Sequence, residues 1–319
     1  MFKQMKKKIL LALSLILLAG CSLPGLGGNL TGQTITVTSG GSTEMQIMGY
    51  IVQGMIEHYI DTDVNIVSNL GSSTMNHQAL MGGDANVSAV RYTGTSLTGE
   101  LGQDPITDPD LAFKTVVKGF DEAFDQKWYP SYGFANTYAF MVTRENAEKY
   151  GLEKVSDLEQ YADSIDVGVD SSWISRAGDG YAAFQETYGF GLPNLYPMSI
   201  GLVYTAVAND EVDVVLGYST DGRIISEDLV VLEDDRHLFP PYDGSAVANH
   251  EILAEYPELD NILMKLEGTI SDEDMQRLNY TSDEYLLEPK TVATKFLEEN
   301  NYFEDKEPYV EPVEKGVLE

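Results

Sequence analysis

Between Thr34 and Val90 strand-like and helix-like segments alternate, and no other feature constrains the fold as strongly. Thr34-Ile35-Thr36-Val37 alternates in the manner of a strand. Ser39-Gly40-Gly41-Ser42 then leads into a helix that Thr43 can cap, with Met45, Met48, Ile51, Val52, Met55 and Ile56 as its apolar stripe. Val64-Asn65-Ile66-Val67 reads as a second strand, Met75 to Leu80 as a short helix, and Ala85 to Val90 as a third, buried strand. This order implies a parallel sheet with right-handed crossovers. Arg91-Tyr92-Thr93-Gly94-Thr95 follows the third strand, and in open α/β sheets ligands bind beyond the carboxyl ends of the strands.

The acidic stretch from Leu97 to Pro130, broken by Pro105 and Pro109, reads as loop and short helix. A second block then repeats the alternation. It has strands at Tyr138–Thr143, Ile165–Val169 and Val212–Leu216, and helical patterns at Val155–Leu158, Gly178–Phe190 and Leu202–Ala208. Leu229-Val230-Val231-Leu232 should return the chain to the first lobe, ahead of helices at Pro257–Glu267, from Ser271, and from Pro289. The expected fold is α/β and two-lobed, each lobe a mainly parallel sheet flanked by helices. Lobe 1 spans 33–134 and 220–303, lobe 2 spans 135–219, and 304–319 forms a disordered acidic tail.

Lys3, Lys6, Lys7 and Lys8 precede the apolar run Ile9 to Ala19, which is signal-peptide length and short for a bilayer span. The run ends in Leu18-Ala19-Gly20-Cys21, which resembles the lipobox of bacterial lipoproteins, so 1–20 is expected to be removed and 21–32 to be a tether. Cys21 is the one cysteine of the chain, which excludes an intramolecular disulfide. The net charge of −31 argues against binding nucleic acid or anionic lipid through the general surface. No two of His58, His77, His237 and His250 lie at metal-ligand spacing, and there is no phosphate loop or nucleophile elbow. No catalytic residue, metal or cofactor is therefore assigned.

Tyrosine stands out, with 19 against 11 Phe and 2 Trp. Four tyrosines sit at strand ends or lobe junctions: Tyr92, Tyr138, Tyr218 and Tyr242. A quaternary ammonium donates no hydrogen bond, so a site for it must use electron-rich ring faces, each contributing about 0.5–2 kcal/mol. Spacing alone leaves a shared site and ordinary core packing both open.

From about Thr34 to Phe303 the chain resembles the substrate-binding lipoproteins of osmoprotectant ABC transporters, the glycine betaine/carnitine/choline group. The marks are Arg91-Tyr92-Thr93-Gly94-Thr95, Asn136-Thr137-Tyr138, the run Asp213 to Gly222, and Met275-Gln276-Arg277-Leu278-Asn279. The resemblance implies a type II periplasmic-binding-protein-like fold, with an aromatic cage of Tyr92, Tyr138, Tyr218 and Tyr242 in the cleft. It also implies polar ligand contacts from Thr95, Gln46 and Asn136, a carboxylate contact from Arg176, and diacylation of Cys21. Some relatives carry a lysine in the loop where this chain has Gly40 and Gly41. The function implied is a receptor on the outer face of the cell membrane, not an enzyme, that hands glycine betaine, carnitine, choline or proline betaine to an ABC permease. Its lobes would close about crossings near Ala135 and Ser219. The alternatives are a receptor for another small solute such as an amino acid, a lipid-anchored hydrolase, or an adhesion lipoprotein.

Overall fold

The computed structural model describes residues 34–176 and 178–307; the signal segment, Cys21, the tether and 308–319 lie outside the described residues. Two five-stranded sheets are built in sequence. The first contains β1 (Thr36–Gly40), β2 (Asn65–Leu70), β3 (Val87–Tyr92), β4 (Gln126–Ala135) and β10 (Asp243–Asn249), in the order β2-β1-β3-β10-β4. The second contains β5 (Tyr138–Thr143), β6 (Val167–Asp170), β7 (Leu195–Met198), β8 (Val214–Tyr218) and β9 (Leu229–Val231), in the order β7-β6-β8-β5-β9. Each sheet is mixed. The strands joined through helices run parallel (β2, β1 and β3; β7, β6 and β8), while β10 and β4, and β5 and β9, add antiparallel.

The helix Thr43–Tyr59 is the spine of the first lobe. Its cap is Ser42, whose hydroxyl accepts from the Met45 amide at 3.3 Å, one residue before the expected Thr43. Met48, Ile51, Val52, Met55 and Ile56 are fully buried, as the stripe predicts; Ile47, outside the stripe, is fully buried too, and Met45 is only half-buried. Each such side chain contributes about 1.5–3 kcal/mol on leaving water. They pack with Met275 and Leu278 of the helix Asp272–Glu284 and with Val292 and Leu297 of the helix Pro289–Glu299.

Four expectations are corrected. Pro109 does not break a helix; it opens one, Pro109–Phe124, behind the Asp108 cap, because the first helical position needs no amide donor. The same acidic stretch ends in β4, a strand that tolerates Pro130 because it lies at the sheet edge. Leu229–Val231 does not return to the first sheet but pairs antiparallel with β5, so the return runs through 232–242 into β10, and Ser219 is not a crossing. Apolar Leu229 and Val230 complete the second sheet's edge, whereas β10, with only Val247 as a branched apolar residue, gave little strand signal. Finally, Glu304–Glu307 is held in place: Lys265 Nζ donates to the carbonyls of Phe303 at 3.3 Å, Glu304 at 3.4 Å, and Lys306. Lysine supplies three donors, and three carbonyls meet them.

The two crossings, 136–137 and 232–242, touch each other. The Asn136 amide donates to the Tyr242 carbonyl at 3.1 Å. Ser219 is stitched alongside: its amide donates to the Thr137 carbonyl at 2.9 Å, its hydroxyl donates to the Ala135 carbonyl at 2.7 Å and accepts from the Thr137 amide at 3.0 Å.

Candidate functional site

Tyr138 opens β5 and Tyr218 closes β8, and the antiparallel register sets them directly opposite each other. Their rings therefore stack, with centroids 5.2 Å apart and planes 30° from parallel. Phe239, on the second crossing, tilts against Tyr138 at 6.0 Å. Tyr242 arrives on the same crossing, three residues later. Its ring covers Gly94, where a Cβ would lie 3.1 Å from Tyr242 Cε1 and 2.9 Å from the Pro241 carbonyl oxygen; glycine permits that approach. The Gly94 amide donates to that carbonyl at 2.9 Å, which pins the turn after β3 to the second crossing.

Arg176 joins the tyrosines. It lies in the turn after β6, and its guanidinium carbon sits 5.4 Å from the Tyr138 ring centroid and 5.9 Å from that of Tyr242. Nε donates to Asp179 Oδ1 at 2.6 Å, and Nη2 donates to the Tyr242 hydroxyl. That hydroxyl in turn donates to Asp179 Oδ2 at 3.2 Å. Burial, with the Asp179 charge, pushes the Tyr242 hydroxyl up to about 12. Gly178, two residues on from Arg176, lies against Pro105, where a Cβ would be 3.0 Å from the Pro105 ring.

Behind each of three rings stands a carboxylate. The Tyr138 hydroxyl donates to Asp170 Oδ2 at 2.6 Å, and Ser172 donates to the same oxygen. The Tyr92 hydroxyl donates to Glu44 Oε1, which also accepts from Asn136 Nδ2 at 2.9 Å, while Asn279 Nδ2 reaches Oε2 at 3.5 Å. Hydroxyls occupied in this way leave the ring faces as the groups available for contact, and donation to an anion enriches those faces in electrons.

Burial is the first cause that raises the Glu44 pKa, against hydrogen bonds from Thr220, Tyr92, Asn136 and Asn279 that pull it down. A carboxyl raised in the folded state stabilises the fold most below its unfolded pKa, and that contribution is lost as pH climbs through the folded value. The stability of Glu44→Gln relative to the wild type should therefore be higher at pH 8 than at pH 4. Denaturant melts at the two pH values measure it, and a stability difference that is flat or falls with pH would refute it.

The structure thus brings Tyr138, Tyr218, Tyr242 and Arg176 into direct contact, and links Tyr92 to Asn136 through Glu44. Tyr218, Asn136 and Glu44 also line one pocket of about 330 Å³. Gln46 does not join them: its Nε2 reaches the Gly41 carbonyl at 3.3 Å and Asn69 Oδ1 at 3.5 Å. Thr95 is half-buried in the helix Thr93–Gly99, next to the glycine that Tyr242 covers. Glu44, Asp170 and Asp179 escaped the sequence reading. Only Asp179 left a signal, its spacing of three from Arg176; Glu44 looks like an ordinary acid in a helix's first turn.

Residues 33–299 match the family described as the substrate binding domain of ABC-type glycine betaine transport systems. The carnitine transport binding protein OpuCC of Listeria monocytogenes is 50% identical over 95% of this chain and 100% of its own length. The glycine-betaine-binding protein of Pseudomonas aeruginosa is 31% identical over 86% and 90%. A crystal structure of a glycine betaine/carnitine/choline ABC transporter protein superposes with a TM-score of 0.82 at 50% identity, over 85% of this chain and all of that one.

Proposed function

Because this chain belongs to the family of substrate-binding domains of ABC-type glycine betaine transport systems, we propose that it captures a quaternary-ammonium solute between its lobes and delivers it to the transporter's permease. It is a binding protein rather than an enzyme. The observation that supports the ligand class is the gathering of Tyr138, Tyr218 and Tyr242 with carboxylates behind two of their hydroxyls. Such a surface offers faces and negative potential, which suits a cation that cannot donate hydrogen bonds.

In this reading Tyr92, Tyr138, Tyr218 and Tyr242 receive the trimethylammonium head, and Thr95, Asn136 and Arg176 contact the rest of the ligand; Gln46, turned to Gly41 and Asn69, does not. The first sheet with the C-terminal helices forms one lobe and 138–231 the other. Closure would turn on the crossings 136–137 and 232–242. The protein works outside the cytoplasm, held to the membrane through acyl groups on Cys21. Carnitine and glycine betaine, the ligands in the relatives' names, share that head and a carboxylate.

Calorimetric titration against glycine betaine, carnitine, choline and proline betaine, with glycine and proline as controls, tests this. Saturable one-to-one binding of at least one quaternary ammonium compound is expected, near micromolar, a strength of about 8 kcal/mol. Binding of the amino acids alone would overturn it.

A further inference from the structure

The faces that a ligand cation would use are already in contact with a cation of the chain itself. The Arg176 guanidinium lies over Tyr138 at 5.4 Å and Tyr242 at 5.9 Å, and Tyr138 is further flanked by Tyr218 and Phe239. Its position is built rather than incidental. Asp179, whose side chain is 3% exposed, accepts from Nε, and the Tyr242 hydroxyl accepts from Nη2. The turn that carries it is fixed as well: the Arg176 amide donates to the Trp173 carbonyl at 3.1 Å, and the buried Trp173 donates from Nε1 to the Asp179 carbonyl at 2.7 Å. The Arg176 side chain keeps 39% of its surface exposed, so it has solvent to move into.

We infer that Arg176 determines specificity by competing with the ligand's cationic head for the faces of Tyr138 and Tyr242. This rests on the quaternary-ammonium reading above. Two unit cations at 4 Å repel by about 4 kcal/mol at an effective dielectric of 20, so guanidinium and trimethylammonium do not share those faces. Binding must displace the guanidinium, and the displacement weighs differently on different ligands. A simple cation meets the full repulsion of the displaced charge. A zwitterion meets less, because its own anion offsets it. Arg176 therefore sets a threshold against plain cations and biases the cleft towards zwitterions.

The test uses tetramethylammonium, choline and glycine betaine titrated calorimetrically into wild type, Arg176→Gln, and the double variant Arg176→Gln/Asp179→Asn. The double variant keeps the net charge and leaves no unpaired buried carboxylate at Asp179. Tetramethylammonium and choline should bind about tenfold more tightly to both variants, the release of two ring contacts. Glycine betaine should gain less or lose affinity. If Arg176→Gln fails to fold, as read by its melting curve, the double variant decides. Unchanged or weaker tetramethylammonium and choline binding in the double variant, with wild type binding normally, would overturn the competition alone. Wild type that binds none of the three would overturn the quaternary-ammonium reading, and the competition with it.

Discussion

Tyr218→Ala should weaken quaternary-ammonium binding about thirtyfold, whereas Tyr218→Phe should leave it within about threefold. The first figure is the loss of one desolvated cation–π contact, about 2 kcal/mol. The second follows because phenylalanine keeps the face. Tyr218 is the clean position for this comparison. Tyr138 is 4% exposed and belongs to the second lobe's core with Phe140, Trp173 and Phe239, so Tyr138→Ala adds a cavity to the loss of the face. Tyr138→Phe takes a donor from Asp170, a hydrogen bond to a charged group worth about 1.5–3 kcal/mol, and should lower the melting temperature more than the affinity. Titration and thermal unfolding on the same samples separate the two effects. Equal losses for Ala and Phe at Tyr218 would mean that the hydroxyl carries the contact, and the ring-face account would fail.

The parallel half of the first sheet was legible because its pattern is strongly periodic: the stripe from Met48 to Ile56 needs no partner to be read. In the second sheet β6 and β8 were read, but β7, a four-residue edge strand that carries Pro197 and buries little, was not. What stayed hidden depends on tertiary context. Pro130 reads as a breaker until β4 is known to lie at a sheet edge, and Pro109 until Asp108 is seen to cap a helix behind it. Asp243–Asn249 is a central strand made largely of small residues, and at Gly244 a Cβ would lie 2.7 Å from the Phe134 ring. In the site, the tyrosines announced themselves at strand ends, and cross-strand register brought two of them together. The carboxylates behind them did not, because Glu44 and Asp170 meet their tyrosines across 48 and 32 residues of chain, and no local pattern records such pairs.

Arg91, the first residue of the motif that carries the family resemblance, should prove to be a residue of the fold rather than of the ligand. Its side chain and that of Glu100 are 1% and 3% exposed, and Nη2 lies 2.9 Å from Glu100 Oε1 and 3.3 Å from the Ser96 hydroxyl. The pair ties the end of β3 to the helix Thr93–Gly99, which carries Gly94 and Thr95. Ser73 adds a donor to Glu100 at 2.9 Å, yet Glu100 Oε2 and Arg91 Nε and Nη1 have no hydrogen-bond partner among the described residues. A buried pair with such gaps is weakly stabilising as a pair, but breaking it strands a charge. Arg91→Met should therefore lose about 3–5 kcal/mol of stability, as should Glu100→Leu, while the double variant should recover most of the loss. At about 2–4 °C per kcal/mol, each single variant melts on the order of 10 °C lower. Quaternary-ammonium affinity measured well below that melting point should stay within about threefold of wild type, since neither charge reaches the tyrosine faces. A double variant as unstable as the sum of the singles would show that each side chain acts through its own packing, Arg91 over the Phe120 ring for instance, and not through the pair.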